Sequence, residues 1–384
     1  MSATPGSLYP LVLDPIFKYR IWGGRRLEQF LGKKLPPGEP IGESWEVSCR
    51  NNDNSIIRNG ELAGSTLAHV FTSSKEALLG ASFEKTMPGF QKSRPDFAGA
   101  HNAAPLQKAI PEGPVKFPLL NKFVDANELL SVQVHPDENS ATRFAGAEAK
   151  TEAWYIIHAD PGATLIKGLK PGVTAETFEE AIADNSVPRL LNTFSVSSGD
   201  MIFVPAGCVH AMGKGLLVCE IQQNSDTTFR VYDWGRVGAD GKPRQLHIKQ
   251  ALQAMDFSKR SPNKVTPVEI AEGRNERAYL VACRHFAMER LKLEEPAHET
   301  TGGRKFDSLM VLSGRALIRP EQGDETEIST GDSSLIPACV GDYTIVPINR
   351  CTLLKVYVPD IEMDVMGRLR SNGILESAIR GIVF

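Results

Sequence analysis

The stretch GDMIFVPAGCVHAMGKG, residues 199–215, decides the fold. It follows the pattern G-x5-P-x-G-x2-H, with Gly199, Pro205, Gly207 and His210 at the fixed positions. Gly199 and Asp200 make a turn into a short apolar strand. Proline cannot continue a strand ladder and glycine accepts a left-handed backbone, so Pro205 and Gly207 shape the next turn. His210 then starts the returning strand with its imidazole pointing into a barrel. A strand–turn–strand unit that carries an imidazole inward calls for partners elsewhere in the chain.

Upstream, SVQVHPDE (131–138) alternates with period 2. Val132 and Val134 share one face, Ser131, Gln133 and His135 the other, and Pro136 ends the strand. Further on, KTEAWYII places Glu152 at the opening of an apolar run. Taken singly, His135 or His210 reads as an ordinary core or surface histidine. Together, Gln133, His135, Glu152 and His210 form a candidate oxygen–nitrogen ligand set. Two histidines and a carboxylate, with room for water or substrate, are what a catalytic zinc site requires, and the lack of a cysteine ligand argues against a closed structural site.

Around these motifs the texture is strands and turns. FPLLNKFVDANELLSVQVHP reads as two strands joined by DANE, followed by EAWYIIHA, ATLIKGL, DMIFVPAG, GLLVCEIQQ and TTFRVYDW. A small helical insert covers about 173–192, capped by Thr174. STLAHVFTSSKEALLG (65–80) and LHIKQALQAM also read as helical. Residues 84–116 carry five prolines and little periodicity, which predicts a surface excursion. SKRSPNKVTP (258–267) is the linker candidate. Beyond it AYLVACRHFAMERLKL, FDSLMVLSGRALI, SSLIPA, YTIVPI and CTLLKVYVP are strands again, and 361–384 reads as a helical tail packed on the body or on a second subunit. The expected fold is mainly β: a first unit over 1–257, a second over 268–360, then the tail. Neither GxGxxG nor GxxxxGK[ST] occurs.

Composition bounds the rest. At 384 residues, 41% hydrophobic and 23% charged, the chain is an ordinary globular protein of two or three domains. A net charge of −3 offers no electrostatic case for nucleic acid or an anionic membrane. The six cysteines form no CxxC pair and read as free thiols of a reducing compartment. The N-terminus resembles neither a signal peptide nor a membrane span, so a cytoplasmic protein is expected, acting as a monomer or homodimer.

QVHPDE, KTEAWY, GDMIFVPAGCVHAMGKG and CEIQQNSDTTFRVYDWGR together resemble the mannose-6-phosphate isomerases of the zinc-dependent, tandem-cupin class. The resemblance runs from about residue 8 to 358 and is tightest over 117–250. The short, bacterial-type layout fits better than the form with a large helical domain. It implies two cupin (jelly-roll-like) barrels, one Zn2+ per chain on Gln133, His135, Glu152 and His210, a small sugar phosphate as partner, and catalytic roles for Arg230, Lys122 and Glu220. The second unit departs from the pattern: GDSSLIPACVGD keeps Gly331 and Pro337 but has Cys339 for the turn glycine and Asp342 for the histidine. A metal-free cupin that packs against the first is therefore expected.

An aldose–ketose isomerisation needs a Lewis acid at the sugar oxygens, a base that reaches two neighbouring carbons, and a grip on the phosphate. Glu220, inside the apolar strand GLLVCEIQQ, is the candidate base because desolvation raises its pKa, with Lys150 or a zinc-bound water next in line. Val218 and Gln222 should share its face, Cys219 and Ile221 the other. Arg230 and Lys122 are the candidate cations for the phosphate and for charge developing at C1–C2. Trp22 and Trp45 are read as packing the N-terminal sheet, Glu43 is left open, and His158, His247 and His285 receive no role. The competing readings are the same mechanism on another phosphosugar or a free sugar, a non-catalytic sugar-phosphate-binding cupin, and an iron dioxygenase.

Overall fold

The computed structural model describes residues 8–50, 52–81, 83, 116–238, 241–258 and 261–384. Of the excursion expected over 84–116, all but residue 116 lies outside the described residues.

Among the described residues the chain is mainly β and builds two cupin barrels, each of a large and a small antiparallel sheet. In the first, the large sheet runs in the order Met201–Val204, Glu152–Ala159, Leu216–Gln223, Leu119–Ala126, Ile41–Val47, Ile16–Gly24. The small sheet runs Leu191–Ser195, Thr164–Leu169, His210–Met212, Val132–Val134, Phe229–Tyr232. The second barrel repeats this order. Its large sheet runs Ser333–Ile336, Asp307–Ser313, Cys351–Tyr357, Phe286–Leu293, Asn275–Cys283, Val268–Glu272; its small sheet runs Thr326–Ser329, Arg315–Pro320, Asp342–Pro347, Ala297–Thr300.

The expected boundary between the units is crossed at the start of the chain. Leu11–Asp14 pairs with Ser333–Ile336 on one side and Ile56–Ile57 on the other, so it extends the second barrel's large sheet rather than the first's. Its side chains explain why: Leu11 and Leu13 enter the core between the barrels, and Val12 enters the second barrel.

The two large sheets pack back to back. Strands Leu119–Ala126 and Leu216–Gln223 are buried along nearly their whole length, as strands covered on both faces must be. Phe123, Cys219 and Ile221 on the back of the first barrel meet Met310, Leu354 and Val356 of the second. Asn121 Nδ2 donates to Ser308 Oγ at 2.9 Å across this contact. Helices Ala175–Ala183 and Ile248–Ala254 cover the outside of the first barrel's small sheet, through Phe178, Ala181 and Ala251 against Val132 and Val134. A capping box of Thr174 and Thr177 starts the first of these helices.

The tail packs on the body. Val365, Leu369, Ile379 and Ile382 join the core between the barrels, and Phe384 stacks on Phe203 of the first barrel at 4.4 Å. All six cysteines are free. No helix among the described residues is long and apolar enough to cross a membrane.

Candidate active site

His135, Glu152 and His210 reach the first barrel's interior from three different strand ends. Gly207, at φ +81°, turns the chain between Pro205 and His210, and its N–H donates to the His135 carbonyl at 2.8 Å. That bond ties the two histidine-bearing segments together. The ligand atoms of the three residues all lie within 4.8 Å of one another. His135 is 2% exposed, His210 1% and Glu152 0%, so no bulk water solvates these groups.

The hydrogen bonds around them set their protonation. His135 Nδ1 is 2.8 Å from the Thr227 carbonyl and His210 Nδ1 is 2.9 Å from the Cys208 carbonyl. A carbonyl only accepts, so each Nδ1 carries the proton and each Nε2 presents a lone pair. Those lone pairs face a carboxylate: His135 Nε2 lies 3.4 Å from Glu152 Oε2, and His210 Nε2 lies 3.2 Å from Oε1. His135 Nε2 and both Glu152 oxygens lack a hydrogen-bond partner. Lys150 Nζ is 2.9 Å from Glu152 Oε2, an ion pair without hydrogen-bond alignment.

Burial pushes the His135 imidazole down to about 3, helped by Lys150 and opposed by Glu152. His210 is lowered as well, again first by burial. Glu152 is held well below the usual carboxylate range: burial works against its charge, but Lys150 and the two histidines outweigh it. Two neutral nitrogen lone pairs converging on a buried anion repel one another unless a cation lies between them. The residues therefore fit a divalent metal, and the nitrogen–oxygen donor set is one that first-row metals take. The Gln133 amide completes the group, with Nε2 3.3 Å from His210 Nε2. Turned end for end, the amide presents its oxygen instead, with no movement of the chain.

A cavity of about 370 Å³ opens beside this cluster, and Gln133, His210, Lys122, Glu220 and Arg230 all line it. Its size falls in the ~300–1,000 Å³ range of small-molecule sites. A larger cleft of about 920 Å³ lies between Tyr9, Asn59 and the 320–327 hairpin, without Gln133, His135, Glu152 or His210 in its walls. Glu220 Oε1 is 3.3 Å from Lys122 Nζ, its cross-strand partner, and Oε2 accepts from Trp154 Nε1 at 3.2 Å. Burial raises the Glu220 carboxyl above its ordinary value, against the opposing pull of Lys122. Val218 stands in the barrel's interior core, while Cys219 and Ile221 face the second barrel. Arg230 donates Nε to Ser131 Oγ at 3.2 Å and Nη1 to the Gln245 carbonyl at 2.9 Å.

Several pocket residues escape a reading of the sequence. Glu43 lines the cavity, takes both arms of Arg20 at 3.0 and 3.1 Å, and accepts from Trp45 Nε1 at 2.7 Å. Burial opposes its charge, yet Lys122 and Arg20 hold its carboxyl at about 2. Trp45 carries the Lys122 ammonium over its ring at 5.1 Å, and Trp22 lines the pocket, so both do more than fill a sheet. Lys150 has a signal in the sequence: two residues before Glu152, it sits on the same face by period 2. Arg244 has none, because it lies in an irregular stretch where no periodicity sets its direction.

No protein-family model matches the chain. It is 35% identical over 343 residues to a probable mannose-6-phosphate isomerase of Bacillus subtilis (strain 168), covering 88% of this chain and 96% of that protein. It is 32% identical over 335 residues to a mannose-6-phosphate isomerase of Streptococcus mutans, covering 87% and 94%. The crystal structure of the mannose 6-phosphate isomerase from Bacillus subtilis superposes with a TM-score of 0.76 at 28% identity, over 91% of this chain and 99% of that one. With 32–35% identity over 87–88% of its length, the chain belongs to the mannose-6-phosphate isomerase family.

Proposed function

We propose that the chain interconverts mannose 6-phosphate and fructose 6-phosphate, with Glu220 as the base. One observation carries this reading: a buried carboxyl of raised pKa stands in the same pocket as a metal-fitting cluster and several cations. The family named above supports the substrate.

Isomerisation moves one proton between C2 and C1 and one between O2 and O1. Glu220 as carboxylate takes the carbon-bound proton from one carbon and, as carboxylic acid, returns it to the neighbouring one. Burial disfavours the Glu220 carboxylate, which makes it a stronger base toward a carbon-bound proton than an ordinary carboxylate. Trp154 Nε1 holds one carboxyl oxygen and Lys122 faces the other, which orients the group and leaves the ammonium beside charge that develops on the sugar oxygens. Zinc bound by Gln133, His135, Glu152 and His210 would supply a Lewis acid at those oxygens, with the neutral Gln133 leaving it more electrophilic than a second carboxylate would. Lys150 holds the Glu152 carboxylate in place, and Arg230 is the cation for the phosphate.

The second barrel is proposed to bind no metal: Asp342, which the motif spacing sets at the place of His210, is exposed, and the buried Tyr343 beside it stands across from Glu299 as His210 does from Gln133. The test is a coupled assay on a panel of hexose phosphates and free hexoses, with and without chelator, alongside elemental analysis. Turnover of mannose 6-phosphate that chelator abolishes and zinc restores, with about one zinc per chain, is expected. Turnover that survives complete removal of metal would overturn the metal role.

A further inference from the structure

Three guanidiniums gather where strand Phe229–Tyr232 leaves the small sheet, those of Arg230, Arg236 and Arg244. Asp233 answers two of them: it accepts from Arg244 Nε at 2.7 Å and Nη2 at 2.5 Å, and from Arg236 Nη2 at 2.5 Å. Arg236 is committed to structure, since its Nη1 also donates to the Leu129 carbonyl, while neighbouring Trp234 Nε1 donates to the Leu130 carbonyl at 2.7 Å. Arg230 and Arg244 line the pocket and Arg236 does not. The acceptors on Arg230, Ser131 Oγ and the Gln245 carbonyl, are both neutral. Nη2 of Arg230 and Nη1 of Arg244 are left without an acceptor among the described residues.

The other cations of the pocket each have a carboxylate. Arg20 has Glu43 at 3.0 Å, Lys122 has Glu220 at 3.3 Å and Lys150 has Glu152 at 2.9 Å. Asp226 also lines the pocket, yet pairs with neither Arg230 nor Arg244. Among the described residues, then, three guanidiniums share one paired carboxylate, Asp233, and even with Asp226 of the same pocket counted an excess of one positive charge remains. A phosphate monoester carries about −1.5 to −2 near neutral pH. Repulsion within the group is already felt: burial first, then Arg244 and Arg236, push the Arg230 guanidinium toward losing its charge, against Asp233.

We propose that Arg244, braced by Asp233, is a second arm beside Arg230 in a phosphate-dianion subsite, and that it sets the preference for phosphorylated over free sugars. The inference rests on the reading of this pocket as a sugar-phosphate site and orients the substrate in it: phosphate at the Arg230–Arg244 end, C1 and C2 at Glu220. Arg244 binds and does not react. Asp233 is a positioning residue that holds the fork of Arg244 toward the pocket, as a bidentate carboxylate does.

The test uses the metal-loaded full chain and reads two quantities, the affinity for inorganic phosphate by titration calorimetry and the KM and kcat for mannose 6-phosphate. Arg244→Met should weaken phosphate binding and raise KM by about tenfold or more, as loss of a charge-assisted pair does, with kcat changed far less. Asp233→Asn should raise KM by a smaller factor, a change that loss of a mere loop tie would not produce. Should Arg244→Met fail to fold, Arg244→Lys keeps the charge but loses the fork, and an intermediate loss of phosphate affinity is expected. Phosphate affinity and KM within twofold of the parent in the folded Arg244 variant would overturn the proposal. Arg244-dependent phosphate binding in a protein that turns over no hexose phosphate would keep the subsite and remove the isomerase reading instead.

Discussion

The two barrels share one strand order and opposite interiors. Across the small sheet of the first, His210 pairs with Gln133; at the matching place in the second, Tyr343 pairs with Glu299. Across the large sheet, Glu220 pairs with Lys122 in the first, and Lys355 with Glu289 in the second, with the charges exchanged. Glu152, opposite Val204, corresponds to Asp307, opposite Ile336. Two residues before each stands a lysine, Lys150 and Lys305.

The difference lies in what satisfies these groups. In the second barrel's interior the buried charges meet their opposites. Arg277 bridges Glu289 and Glu299, Lys355 pairs with Glu299 and lies 3.8 Å from Asp307, and Lys305 holds Asp307 at 2.6 Å. Tyr343 donates to Asp307 at 2.8 Å and Tyr357 donates to Glu289. In the first barrel His135 Nε2, Glu152 Oε1 and Glu152 Oε2 stay without a hydrogen-bond partner. Buried polar atoms are costly to leave unpaired; the charges of the second interior satisfy one another, with the Ser334 hydroxyl left over, while the first leaves donor atoms that fit a bound cation. The Lys355 ammonium, between Glu299 and Asp307, does in the second barrel what a metal ion would do in the first.

The sharpest way to break this comparison is His210→Ala. It should lower bound metal toward zero and activity below detection in a coupled assay, while circular dichroism and the unfolding midpoint show a folded chain. Full metal content in that variant would remove the cluster from its role. Glu220→Gln keeps the shape of the proposed base and should retain metal, yet slow turnover by about 10²–10⁴ and stop exchange of the C2 proton with solvent. Unchanged deuterium wash-in would transfer the base to Lys150.

Lys355→Met sharpens the comparison from the other side. It strands Glu299 and Asp307 in a dry interior and should cost about 3–5 kcal/mol in chemical denaturation, with activity per folded molecule retained. A variant as stable as the parent would mean that the ion network does not hold the second barrel. The smallest effect is on acid stability. Burial opposes the charge of Glu299, but Lys355 and Arg277 hold its carboxyl at about 2, against 4.5 for the ordinary group. A carboxyl lowered on folding contributes stability above its unfolded value and loses it as pH falls toward its folded one. Unfolding monitored between pH 4.5 and 2 should therefore show a falling midpoint, and Lys355→Met, which brings the folded value of Glu299 back toward the unfolded one, should flatten that fall.

Much of this architecture is legible in the chain. The turn at Pro205–Gly207, the alternation of SVQVH and the cap at Thr174 are local, and each dictates its own geometry. The cluster of His135, Glu152 and His210 is legible as a candidate because Gln133 and His135 sit two apart on one face and only the joint pattern with Glu152 and His210 makes chemical sense. CTLLKVYVP misleads in one respect. It reads as an apolar strand that buries its face against the first barrel, and Leu354 and Val356 do so, while Leu353 and Lys355 point the other way, into the second barrel. A lysine in a strand usually faces water, and nothing nearby in the sequence announces Glu299 and Asp307 as its partners. The opening strand Leu11–Asp14 misleads in another, since its sheet partner lies more than three hundred residues away.

By itself, then, the sequence determined the strands, the turns between them, the face each side chain takes and the chemical types available for a site. Period 2 and turn stereochemistry are properties of a few consecutive residues. Which strand lies beside which, and hence whether a buried charge meets a metal site or an ammonium, was decided only when the two large sheets packed and set the long-range register. Glu152 and Asp307 are the same kind of group at the same place in the same fold, and only their neighbours across the barrel tell them apart.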